Sequence, residues 1–451
     1  MNFHLGKPIL VMIVLSLLSG LMVLARPSAK KGQLTVWVFA HSHHRTYMPL
    51  CETFAREHNV TVNLELLNGR AMIVRLGQLF MADPTSEEIP DVLEMEISLV
   101  GRFFRPPREE VGFLPLDDRL DQTGWRQRLV QSRLSPWQKE GVTFGVPHDV
   151  HSTTITYRED LFRQAGVDLA AAKTWKQFHD ACFQFNQYWK QPGVKYRHAF
   201  ELPEAASDFL QAMLLQRGVN PIDSYGKVFI DDPKVAQTLA FYATMVAGPR
   251  KVTAQTPAGI GARTKDISEG NICAFLTPDW DLTYVKQYGA AVAGTMRMMP
   301  MPVFDPTDTP TTTRGGTMMG ITRACKDPDL AWKLIEYLYF SRDGLEARQL
   351  ESDILPPVRA FWSDPFYNRP DPFLGGQKGG ALYVELADKI PKRYVTPVSG
   401  LATLALNDCL VKAVKYVNSR GEAGLEAACQ RWLTAQADDL KARMKHMEFK
   451  E

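Results

Sequence analysis

Three histidines stand close together in the run His41-Ser42-His43-His44-Arg45, and imidazoles so near one another raise the question of a metal site. Side chains at adjacent positions rarely converge on one ion, and no second cluster of ligands is apparent. The expectation is therefore no metal, with His41 and His44 as hydrogen-bonding groups and the remaining histidine as a solvated loop residue. Carboxylates recur at a spacing of two, Glu94 with Glu96 and Asp279 with Asp281. On a strand that spacing puts both groups on one face, and a glycoside hydrolase needs two carboxyl groups at a set separation across the bond. No Gly-x-Ser-x-Gly elbow, His-Glu-x-x-His, phosphate loop or dinucleotide fingerprint accompanies them. Trp280, flanked by Asp279 and Asp281, and Arg314, ahead of Gly315 and Gly316, supply an aromatic plate and a fork of donors that could contact a ligand. A sugar presents hydroxyls around apolar C–H faces, which suits aromatic plates combined with planar groups carrying several donors. The paired glycines read as backbone geometry.

Such groups need elements to hold them. The chain has 451 residues, too many for one ordinary core, so two lobes are expected. Its 52 basic and 50 acidic side chains leave a net charge of +2, which provides no global field for nucleic acid or an anionic membrane surface. Lys7 precedes an uncharged stretch from Ile9 to Ala25, the pattern of a secretory signal over residues 1–25, with Val23-Leu24-Ala25 as a small-residue end. The run is slightly short for a membrane span, and Arg26, Lys30 and Lys31 charge its outer flank too, so a retained anchor stays open. No cysteine near its end suggests a lipid anchor. The six cysteines lack CxxC spacing, and pairing of Cys409 with Cys429 is left undecided.

Leu34–Ala40 reads as a strand buried on both faces. After a polar turn, Tyr47, Leu50, Cys51, Phe54, Ala55 and His58 form a helical stripe. A strand over 60–67, a helix around Met72–Phe80 and a strand over 91–97 follow, an alternation that predicts a parallel sheet. Thr174 with Gln177 is a capping-box pattern, and Asp232-Pro233 and Asp327-Pro328 each set an N-cap before proline.

The segment Gly141-Val-Thr-Phe-Gly-Val-Pro-His, then Ile155-Thr-Tyr-Arg-Glu-Asp-Leu-Phe, then Lys173-Thr-Trp, resembles the extracellular solute-binding proteins of ABC importers. The likeness is to their carbohydrate-binding group, which includes maltose-binding protein. Ala274-Phe-Leu-Thr-Pro-Asp-Trp280 is similar to the family's strand-to-helix turn with a ligand-stacking aromatic. Gly315-Gly-Thr-Met-Met-Gly-Ile321 is similar to its return into the first lobe. The blocks keep the family's order from about Leu34 to about Met444.

The resemblance implies a two-lobed α/β periplasmic-binding-protein-like fold with several hinge crossings and a ligand cleft between lobes. One lobe would comprise 33–149 plus 300–342, the other 150–299 plus 343–451. It implies a saccharide ligand captured by hinge closure, an ABC permease as membrane partner, no nucleic acid, no cofactor and a monomer exported from the cytoplasm. Trp280, Glu96, His151 and Glu201 match family positions that contact ligand; in maltose-binding protein the position of His151 holds a carboxylate. Asp149 follows the crossing, Arg314 reaches for the cleft, and His41 and His44 follow the first strand at its mouth. An exported glycoside hydrolase and a membrane-tethered sensor are the alternatives.

Overall fold

The computed structural model describes residues 11–17, 19, 34–255 and 259–448. Three strands, β1 (Leu34–Val38), β2 (Val62–Leu66) and β3 (Val92–Glu96), run parallel as their β-branched, apolar sequences predict. Two more complete this sheet: β4 (Val146–Pro147) and, far along the chain, an antiparallel strand over Thr317–Ile321. Between these two in sequence lie β5 (Thr153–Arg158), β6 (Ala274–Pro278) and β7 (Met296–Met299), which form a second, antiparallel sheet. With the Thr317–Ile321 strand as β8, the orders are β2-β1-β3-β8-β4 and β6-β5-β7.

Both sheets are covered on both faces. Leu34, Val36 and Val38 point into one cluster with helices His41–Glu57 and Pro328–Phe340, while Trp37, Leu93, Met95 and Met318 point into another. This is the alternation of a pleated strand. In the second sheet Ile155, Ala274 and Leu276 face the largest cluster, and Phe275, Met296 and Met298 face a fourth. Each fully buried side chain of this size contributes about 1.5–3 kcal/mol relative to exposure, which fixes the register of the strands.

The capping box at Thr174 and Gln177 forms, and Asp232 and Asp327 cap their helices by accepting the Lys234 and Leu330 N–H groups. The six cysteines are unpaired and buried. One reading is corrected: His41 to Arg45 is the first turn of the helix His41–Glu57, and no polar turn precedes it. Most of residues 1–25, where a signal was expected, lies outside the described residues. Among the described residues no helix is long and apolar enough to cross a membrane.

Three segments run between the sheets and pair sideways. Ser152 bridges Thr313, and the Val150 N–H donates to the Leu355 carbonyl at 2.9 Å. The helix Arg342–Glu351 stays with the first sheet: Leu345 enters its core, and Arg45 meets Glu351 at 2.8 Å. Met301 belongs to the large cluster of the second sheet.

Candidate functional site

A cleft of ≈560 Å³ opens where these elements meet. One wall is the end of β3 and the turn after it, from Glu96 to Ser98; the other carries Trp280 and helix Asp208–Gln216. Thr313, Arg314 and Gly315 line it from a crossing segment, and residues 393–403 close it.

Trp280 stands one residue past the start of helix Asp279–Tyr288, so the strand-to-helix turn aims the half-buried indole into the cleft. Its Nε1 donates to the Arg314 carbonyl at 3.0 Å, which satisfies the polar edge of the ring. The Arg314 guanidinium lies 4.4 Å from the Phe209 ring centre and 5.5 Å from that of Trp280. Gly315 sits beneath with φ +86°, and a Cβ there would come within 3.1 Å of Trp280 Nε1. Glycine is thus required by both conformation and space.

Glu96 lines the opposite wall, but part of its carboxylate is occupied. Oε2 accepts the Ser98 N–H at 2.8 Å and the Ser98 hydroxyl, capping the short helix Ile97–Val100. Burial raises its carboxyl above the usual range, with the Ser98 hydrogen bonds pulling the other way.

Asp149 and His151 are buried under the floor and do not line the cleft. Asp149 meets Arg133 Nη2 at 2.9 Å, the Thr317 N–H at 2.9 Å and His151 Nε2 at 3.1 Å. His151 Nδ1 meets Asp279, the residue before Trp280. His151 holds φ +57°, a left-handed conformation that non-glycine residues seldom adopt. Arg133 also donates to Thr313 Oγ1 at 2.8 Å, so one guanidinium ties two crossings.

Glu201 does not line the cleft either. It is buried on a short strand, with Arg263 Nε 2.8 Å from both its oxygens, and Arg263 Nη1 reaches Asp281 at 2.8 Å. Burial raises the Glu201 carboxyl, opposed by Arg263. His41 is exposed and His44 half-buried on the first helical turn, away from the lining residues.

His43, expected in a solvated loop, is buried instead. Its Nδ1 lies 2.8 Å from Glu94 Oε2, while Glu94 Oε1 accepts from the hydroxyls of Tyr47 and Tyr339 at 3.2 and 2.7 Å. The His148 ring lies 4.3 Å from that of His43. Helical geometry turns His43 inward while His41 and His44 turn out, a distinction hidden when the run is read as a turn.

Arg393 went unnoticed in the sequence. It lines the cleft beside Glu96 and Asp208, and burial pulls its guanidinium down from the ordinary range, with Glu96 opposing that fall. Asn220 holds its loop, donating to the Lys392 carbonyl and accepting from the Tyr394 N–H, both at 3.0 Å. The only available signal was a basic-aromatic pair in a loop bracketed by Pro391 and Pro397.

Residues 50–361 match the family model described as bacterial extracellular solute-binding protein. The chain belongs to this family. An arabinooligosaccharide-binding protein of Bacillus subtilis is 21% identical over 345 residues, covering 74% of this chain and 76% of its own length. The ABC-transporter-associated binding protein of B. animalis subsp. lactis, solved with β-1,6-galactobiose, superposes with a TM-score of 0.68 at 18% identity, over 91% of this chain and 98% of that one. The sugar-binding protein of Xanthomonas citri superposes with a TM-score of 0.71 at 17% identity, over 92% and 99%. These solved structures share the two-lobed architecture expected from sequence. This solute-binding protein is a receptor and not an enzyme. The geometry accounts for its paired carboxylates without catalysis: Glu94 serves two tyrosines and His43, Asp279 serves His151, and Asp281 serves Arg263.

Proposed function

We propose that the chain captures a short saccharide in the ≈560 Å³ cleft and delivers it to an ABC permease. The observation that carries this reading is the half-buried Trp280 plate, backed by Arg314 and facing a wall of polar groups that includes Glu96. The volume falls within the range of about 300–1,000 Å³ typical of small-molecule sites. Three cations, Arg102, Arg314 and Arg393, and two carboxylates, Glu96 and Asp208, ring a surface that can donate to and accept from many hydroxyls. Trp280, Arg314 and Glu96 are the proposed contacts, joined by Arg393. Asp149 and His151 act from below, by holding the crossings and the turn of Trp280.

Closure about the three crossings would bring the walls together on ligand. The boundaries that fit the packing are the crossings near 148–152, 310–316 and 352–358. These place 300–310 with the second lobe and helix Arg342–Glu351 with the first, in contrast to divisions at 299 and 342. The protein works on the outer side of the bacterial membrane as a monomer, brought there by residues 1–25. Family membership in the extracellular solute-binding proteins supports that location.

The test is a thermal-shift screen of residues 26–451 against mono-, di- and oligosaccharides and other small solutes, with mass analysis of the recovered ligand. A ligand binding only the native state raises Tm in a concentration-dependent way, and micromolar affinity, about 8 kcal/mol, is expected. A sugar that shifts Tm and is recovered intact supports the proposal. Cleavage of the sugar overturns the receptor reading, and a shift only with another solute overturns its carbohydrate part.

A further inference from the structure

His43, Glu94 and His148 come from three elements: the first turn of helix His41–Glu57, the middle of β3, and the crossing that follows β4. One ligand atom from each lies within 4.8 Å of the other two, the one such group among the described residues. The cluster lies apart from the residues that line the cleft.

Its surroundings are those of a ligand set held in place. Glu94 Oε1 is taken by the Tyr47 and Tyr339 hydroxyls, which leaves Oε2 to face His43 Nδ1 at 2.8 Å. Tetrahedral sites with metal–ligand distances of about 2.0–2.2 Å have edges of roughly 3.3 Å, so a small opening would admit an ion between these two atoms. His148 Nδ1 is buried without a hydrogen-bond partner, and Asp149 Oδ2 stands 3.5 Å from it. A carboxylate behind a ligating histidine is the usual outer partner that fixes its tautomer. Arg348, whose Nη1 donates to the His148 carbonyl and whose guanidinium lies 5.5 Å from the Tyr339 ring, is a neighbouring cation. It opposes added positive charge and so favours ions that form strong bonds to imidazole. Mg²⁺ and Ca²⁺, which require oxygen ligands, are disfavoured.

We propose that His43, Glu94 and His148 bind one divalent transition ion of the zinc type, pinning the crossing segment to the first sheet. Loading puts the ion between His43 Nδ1 and Glu94 Oε2, and the proton on Nδ1 moves to Nε2 of the ring or leaves to solvent.

The experiment uses the full chain, stripped with chelator and dialysed, and Zn²⁺ alone as the probe. One equivalent of zinc should remain by elemental analysis, Tm should rise, and Co²⁺ in its place should give the visible d–d bands of a low-coordinate site. Mg²⁺ and Ca²⁺ should do neither. Glu94 accepts two buried phenols, so Glu94→Gln is a poor first variant. H148N, checked for fold by circular dichroism, should lower zinc affinity at least about 100-fold, beyond what loss of an outer partner costs. The other two histidines of the run are controlled by H41N/H44N, which should retain the ion. No retained zinc and no cobalt bands in the wild type would overturn the site. Zinc held equally by H148N, or lost in H41N/H44N, would overturn it as well.

Discussion

His151 Nδ1 lies 2.5 Å from Asp279 Oδ1, across the join between a crossing segment and the strand-to-helix turn that carries Trp280. Nε2 of the same ring faces Asp149 at 3.1 Å, and the second Asp279 oxygen accepts the Leu355 N–H at 2.8 Å. One imidazole thus links the first crossing to the turn holding Trp280, and Asp279 links both to the third crossing. With Arg133 on Asp149, two cations balance two buried carboxylates. A buried set of this kind is costly to break at one member, because the remaining charges stay buried.

Stability should fall as the solution turns alkaline. Burial alone favours neutral His151, but the attraction of Asp149 and then Asp279 outweighs it and lifts the pKa from 6.5 to about 9. A raised folded-state pKa gives a contribution fully present below 6.5 and lost as pH climbs through about 9. Urea denaturation across that window should show a loss of up to about 3 kcal/mol. H151N, whose asparagine tolerates the left-handed backbone, should be less stable at pH 7 and lack this component. Its stability gap to the wild type therefore closes as pH climbs through about 9, on top of the alkaline fall that the buried cysteine thiols impose on both. Parallel pH curves for the two proteins would refute the assignment.

Trp280→Ala should weaken saccharide binding by about 2 kcal/mol, roughly 30-fold, while leaving the fold intact. The indole is half-buried and its loss opens no core cavity. Trp280→Phe keeps the plate but drops the hydrogen bond to the Arg314 carbonyl, so its loss should be smaller. Calorimetric titration with the sugar found in the screen separates the two, and unchanged affinity in folded W280A would remove this side chain from the site.

The sequence signals that survived were those written in local chemistry. The apolar run that begins at Leu34 and the caps at Thr174, Asp232 and Asp327 need only neighbours along the chain, and each formed, the strand over Leu34–Val38. The order of the Gly-x-Pro, Pro-Asp-Trp and Gly-Gly blocks led to the family. Long-range pairing was not legible. Nothing near His151 announces Asp279, 128 residues away, and nothing near His43 announces Glu94, 51 residues away. Glu201 read as a ligand carboxylate because Arg263 lies 62 residues on. Arg393 went unseen because its loop is placed by Asn220, far back in the chain.

Gly315→Ala should disturb structure and binding together. The position holds φ +86°, which costs a side-chain-bearing residue about 1–2 kcal/mol, and the new Cβ would press within 3.1 Å of Trp280 Nε1. The expected result is a lower urea midpoint together with weaker sugar affinity. A purely thermodynamic loss with normal affinity would show that Gly315 does not hold the indole.

Glu201 and Arg263 separate architecture from recognition. The Glu201 carboxylate is buried against Arg263, which also holds Asp281, so Arg263→Met leaves two buried carboxylates without their cation. Removing one partner of such a set costs about 3–5 kcal/mol. Glu201→Gln keeps the shape and removes the charge whose burial is unfavourable, and Arg263 retains Asp281, so its cost should be well below that of R263M. Because Glu201 does not line the cleft, E201Q should bind the sugar with near wild-type affinity once folded. Chemical denaturation and calorimetry on the same samples distinguish the outcomes. A folded E201Q protein with affinity reduced tenfold or more would return Glu201 to the ligand, as the family position first implied, and would require the Arg263 side chain to open toward the cleft when sugar is bound.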